Sequence, residues 1–175
     1  MTRPTWATVV GVIGIILGCF GILGAGQLVM MPKIMEIQKT MLAEMEKTIE
    51  QQQGTNPQQA PPVAMFKMMH RFFELPPWYQ TWCIVAGVLS LFVSGFYVFA
   101  CIRLLQTSPS AIGLFYAAAG LAIALALVKG MVAVAGMSFM GLAVMFWSMF
   151  GVVINVVLLV VVGSGDKQAF GQPDA

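Results

Sequence analysis

The stretch Ala111–Gly163, AIGLFYAAAGLAIALALVKGMVAVAGMSFMGLAVMFWSMFGVVINVVLLVVVG, decides the fold. It holds one charged residue, Lys129. A membrane-spanning helix needs roughly 20 apolar residues. The stretch is therefore too long for one span and long enough for two joined by a tight turn. Ala135–Ser138, AGMS, is small and weakly polar, and it is the expected turn. The two spans are then about 111–134 and 139–163.

Working outward, Gln106–Ser110 (QTSPS) reads as a turn before this stretch, and an apolar segment, 78–105, precedes it with Arg103 near its end. Trp78, Tyr79 and Trp82 stand where an aromatic belt is expected. At the other end of the chain, 6–30 forms a fourth apolar run, longer than a signal core, and it reads as a retained helix. The whole chain is 59% hydrophobic and 9% charged. A soluble domain carries about 25% charged residues, so most of this surface must face lipid. The expected fold is an all-α integral membrane protein. Four transmembrane helices form a bundle, with an extramembrane helical hairpin between helices 1 and 2.

The hairpin occupies 31–77. Its first arm, about 32–53, shows helical periodicity, with Ile34, Met35, Met41, Leu42, Met45 and Ile49 on one side. Gly54, Pro57, Pro61 and Pro62 break the pattern. Its second arm, about 63–75, contains Met65–Phe73 (MFKMMHRFF), with the only histidine of the chain. On a helix Lys67, His70, Arg71 and Glu74 make one narrow polar stripe, and phenylalanines and methionines cover the rest. That arc suits a helix lying in the membrane interface. Thioethers beside an imidazole also select Cu(I), so Met65, Met68, Met69 and His70 are candidate metal ligands. Adjacent residues point about 100° apart on a helix, and the arc is equally served by phenylalanine. Apolar filler is the favoured reading. Residues 164–175 read as a polar, flexible tail.

Within lipid, helices associate by close approach and hydrogen bonding, so small and polar residues mark contact faces. Ala7, Gly11, Gly14, Gly18, Gly21 and Ala25 alternate in steps of four and three, giving one ribbon of tiny residues. Cys83, Gly87, Ser90, Ser94, Tyr97 and Cys101 repeat the spacing in the second span. In the fourth, Gly141, Ser148, Gly151 and Asn155 keep it with a gap. The expected packing residues are Gly11, Gly14, Gly18, Gly21, Ser90, Ser94, Gly151 and Asn155. Lys129 is an intramembrane charge, which makes it a candidate functional residue. It lies about two turns from its helix end, so it is expected to snorkel to the headgroups.

Three cysteines with no CxxC spacing give no disulfide framework. Net charge of +2 without a basic run gives no reason to expect nucleic acid. No zinc motif, phosphate loop or nucleophile–base pair is present, so neither an enzyme nor a resident cofactor is expected. The function expected is structural or interactive: an accessory or scaffold subunit, or a homo-oligomer, whose partners are the bilayer and other membrane subunits or itself. The loop helices would add contact surface outside the bilayer. A channel built along Ser90, Ser94 and Tyr97 is the alternative, and copper handling by the loop is the next. Arg3 and the amino terminus flank the first span on one side, and Lys33, Lys39, Lys47, Lys67 and Arg71 fall on the other. Because the first helix often sets orientation, the termini are expected in the cytoplasm.

Overall fold

A computed structural model of the chain describes residues 4–53, 76–135, 139–166 and 170. They form four helices and no strand: α1 Thr5–Gln53, α2 Pro77–Leu105, α3 Ala111–Ala135 and α4 Phe139–Ser164. Each carries a segment long and apolar enough to cross a membrane.

The break expected between a span ending at residue 30 and a loop helix starting at 32 is absent. Helix α1 runs unbroken through Pro32 for 49 residues, about 74 Å at 1.5 Å per residue. Proline removes one backbone donor, so the hydrogen bond to the Leu28 carbonyl is lost, and its ring crowds that carbonyl. Contacts on both sides of the proline hold the helix together. Met31 and Met35 pack with Tyr79, Trp82, Cys83 and Val132. The four-three spacing of the span also continues past the proline. Leu28, Pro32, Met35, Lys39, Leu42 and Glu46 are all partly or fully buried. The first arm of the expected hairpin is thus the end of α1, and the second arm, 63–75, lies outside the described residues.

Helix α2 opens on Pro76-Pro77, with Pro77 at the first helical position, where a missing N–H costs nothing. It closes on a short turn. Thr107 has φ 52°, its N–H donates to the Leu104 carbonyl at 3.2 Å, and the Ser108 N–H donates to the Arg103 carbonyl at 3.3 Å. This pair of bonds is the Schellman arrangement, which places one residue in the left-handed region. A β-branched residue is strained there, and Pro109 then prevents the helix from continuing. The result is a tight reversal into α3.

Two buried clusters hold the bundle. The larger lies toward the chain ends: Val10 of α1, Tyr97, Cys101 and Leu104 of α2, Phe115 and Ala119 of α3, and Leu158 and Val162 of α4 are among its members. The smaller lies toward the 53–76 side and comprises Met35, Tyr79 and Cys83. The start of α1 meets the stretch that follows α4. Trp6 Nε1 donates to the Asp166 carbonyl at 3.2 Å, and its ring packs on Phe170, centroids 5.6 Å apart. Phe170 is buried. Within the segment expected to be a flexible tail, Phe170, the one phenylalanine of a polar stretch, finds an aromatic partner in Trp6.

Candidate functional site

The closest helix contact is between α1 and α2, which run antiparallel. A Cβ placed at Gly11 would lie 2.6 Å from Leu105 Cγ; at Gly14, Gly18 and Gly21 it would strike Cys101 Sγ, Val98 Cγ2 and Ser94 Oγ. As the α1 numbers rise, the α2 partners fall. The tightest approach is made from the other helix. A Cβ on Gly87 would sit 3.0 Å from the Ala25 carbonyl oxygen and 3.1 Å from the Val29 amide nitrogen. Side chains can rotate away from an intruding atom, but those two backbone groups cannot. Gly87 lay on the four-three stripe of its span without being singled out. Its signal was the coincidence of the stripe with a residue lacking Cβ.

Ser90, Ser94 and Tyr97, the residues of the expected pathway, are each packed against neighbouring helices in one protomer, and Tyr97 also approaches Gly14 of α1. Ser94 abuts Gly21 of α1. Tyr97 stacks at 5.8 Å on Phe115 of α3. Ser90 is buried and its hydroxyl donates to the Ala86 carbonyl at 2.6 Å, the back-bond that serines make within helices.

Ser90 then accepts a hydrogen bond of 3.2 Å from Lys129 Nζ. Two residues read independently from the sequence are thereby brought together across the α2–α3 seam. Ser90 stands eight residues beyond Trp82, about 12 Å along the axis of α2. The Lys129 amine turns to Ser90 rather than along α3 toward its 135 end. The reason is chain direction. A helical side chain leans toward its own N-terminus, and α3 starts on the side of the chain ends. Lys129 therefore leans away from the nearer membrane face and into the bundle.

Asn155 and Gly151, both expected at a packing face, pair within α4: the Asn155 side-chain amide donates to the Gly151 carbonyl at 2.8 Å. Its Oδ1 is buried with no partner among the described residues. Gly151 differs from Gly11, Gly14, Gly18 and Gly21 of α1 in that no atom lies within 4 Å of the position its Cβ would take. Cys19 is exposed and Cys83 and Cys101 are buried, all three as free thiols. Met65, Met68, Met69 and His70 lie outside the described residues. Among the described residues no three His, Cys, Asp or Glu side chains come together as a metal cluster.

A shallow groove runs between α3 and α4. Ala126, Gly130 and Met131 line one wall, and Met145, Ser148 and Met149 the other. Its volume is about 200 Å³ and its lining is apolar. Comparison with known proteins gives no match to a family model, to a curated protein or to a solved structure.

Proposed function

We propose that this chain is a small integral membrane protein with an interaction role: an accessory or scaffold subunit held together by close helix packing, with the outer face of α3 and α4 as its contact surface. The termini face the cytoplasm in this reading. No catalysis and no bound cofactor are assigned to it.

The observation that supports the reading is how unequally the four helices are used. Within the most apolar 18-residue stretch of α2, 33% of the residues are buried, against 11% in that of α4. The buried side chains described on α4 are Leu158 and Val162, both in its last two turns. Lipid tails are as apolar as leucine, so burial between helices reflects fit rather than escape from water. Gly11, Gly14, Gly18 and Gly21 of α1 are filled by α2, whereas Gly130 of α3 and Gly151 of α4 face open space, as do Gly24 and Gly26 of α1 and Gly95 of α2. Gly130 and Gly151 are the open positions that lie on the two helices bordering the α3–α4 groove. A conducting pathway gains less support, since Ser90, Ser94 and Tyr97 are each engaged in contacts inside the protomer.

Purification from the native membrane in mild detergent, followed by native mass measurement, tests this. The expected result is a stable complex well above the 18.9 kDa of the single chain, with a second protein in fixed ratio. A symmetric ring of this chain around a wet axis would transfer the reading to a channel. A bare monomer would contradict both.

A further inference from the structure

We propose that Lys129 pairs with an aspartate or glutamate carried inside a transmembrane helix of a different protein. The proposal rests on the accessory-subunit reading and selects a heterologous partner over a second copy of this chain.

The first argument is charge. All seven carboxylates of the chain fall at Glu36, Glu44, Glu46, Glu50, Glu74, Asp166 and Asp174. None lies inside the four apolar spans. A second copy has the same seven, so self-association brings no membrane-embedded carboxylate to Lys129. A charge inside the hydrocarbon that its own chain does not neutralise calls for a counterion from elsewhere.

The second argument is hydrogen bonding. An ammonium has three donors, and one acceptor, Ser90 Oγ, is present among the described residues. The Ser90 proton is already given to Ala86. The site therefore offers N–H donors only, and what completes it must be an acceptor. A carboxylate supplies acceptors and the missing charge together.

The third argument is depth and room. The amine sits about 12 Å below the level of Trp82, beyond easy reach of a phospholipid headgroup, whereas a side chain on a crossing helix arrives at that level directly. Lys129 is largely but not fully buried. Gly130, next to it, has no atom within 4 Å of where a Cβ would be. Ala126, one turn away, forms the edge of the α3–α4 groove. The groove is lined by Gly130 but not by Lys129, whose amine turns to Ser90 at the α2–α3 seam, so the partner helix would meet α3 at Gly130 and reach the amine from beside it.

The test uses the full chain in its native membrane, with wild type, Lys129→Met, Lys129→Arg and Ser90→Ala purified in parallel and the accompanying protein identified by mass. Wild type, the arginine variant and the serine variant are expected to retain the partner. The methionine variant is expected to lose it at least tenfold. The partner is expected to carry an acidic residue within a span, and changing that residue to Asn or Gln should reproduce the loss with this chain untouched. This last arm guards against misfolding of the methionine variant, whose melting temperature is measured alongside. A partner that stays with Lys129→Met, or that has no acid in its spans, overturns the proposal and leaves the accessory reading standing. Wild type purified alone, or as a ring of itself, overturns both. Anionic lipid retained in a Lys129-dependent way, without protein, assigns the counterion to a headgroup and overturns the proposal as well.

Discussion

Gly87→Ala is expected to weaken the protein, and Gly14→Leu and Gly18→Leu to weaken it more, while Gly24→Leu on the same α1 helix and Gly95→Leu on α2 leave it unchanged or slightly improved. At Gly87 a single added carbon meets the Ala25 carbonyl and the Val29 amide, so the two helices must move apart. At Gly14 the obstacle is the sulfur of Cys101, a residue with no exposed surface. At Gly18 it is a methyl of Val98, with the Ser94 carbonyl 3.5 Å away. Overfilling a packed contact costs about 1–3 kcal/mol and occasionally more. Leucine adds three carbons beyond the Cβ, which places Gly14→Leu and Gly18→Leu at about 3 kcal/mol or above. Gly11→Ala and Gly21→Ala should be milder, since Leu105 can swing its side chain and the Ser94 hydroxyl can rotate. The controls carry the argument. Gly24 and Gly95 have nothing within 4 Å, and exchanging glycine for leucine in a helix gains up to about 1 kcal/mol in propensity. Thermal denaturation in one detergent ranks all the variants. Equal melting temperatures for Gly14→Leu and Gly24→Leu would remove the basis for a close-packed α1–α2 seam.

Phe115→Ala has the second-largest expected effect. Phe115 is fully buried between α2 and α3, against Tyr97. In a soluble protein such a change costs about 3–5 kcal/mol, part of it the transfer of the ring from water. That part is absent here, because an unpacked phenylalanine stays in lipid. What remains is the cavity, about 100 Å³ at ~24 cal/mol per Å³, or about 2.4 kcal/mol. Losing the aromatic pair adds roughly 1 kcal/mol. The expected loss is thus about 3 kcal/mol. Phe146→Ala and Trp147→Ala, at positions 72% and 76% exposed, should change stability by less than about 0.5 kcal/mol. If Phe146→Ala were as costly as Phe115→Ala in the isolated chain, the assignment of the core to the α2–α3 side would be wrong.

The four membrane-crossing helices were legible because hydrophobic length is a local property, written in runs such as Ala111–Gly163. The turn at Thr107 was legible for the same reason, through Pro109. Three features were not local. Pro32 beside a cluster of charges signals a boundary, yet Met35 finds Tyr79 some forty residues away and the helix continues. Phe170 sits in a polar tail, and only the meeting of this stretch with the start of α1 gives it Trp6. Lys129 and Ser90 each stood out as polar residues in lipid, but their pairing depends on the register of α2 against α3. The direction of Lys129 could have been deduced. Once α3 is known to start on the side of the termini, its side chains lean deeper into the bilayer, against snorkelling.

The most direct measurement of the central claim, that the α3–α4 face meets another protein within the bilayer, is site-specific photocrosslinking in intact cells. A photoreactive residue replaces Met131 or Met149 on the groove, and Leu23 or Phe92 elsewhere on the exposed surface; all four are more than half exposed. The account predicts a discrete protein adduct from Met131 and Met149 and only lipid adducts from Leu23 and Phe92. Lipid adducts alone at all four positions would contradict it.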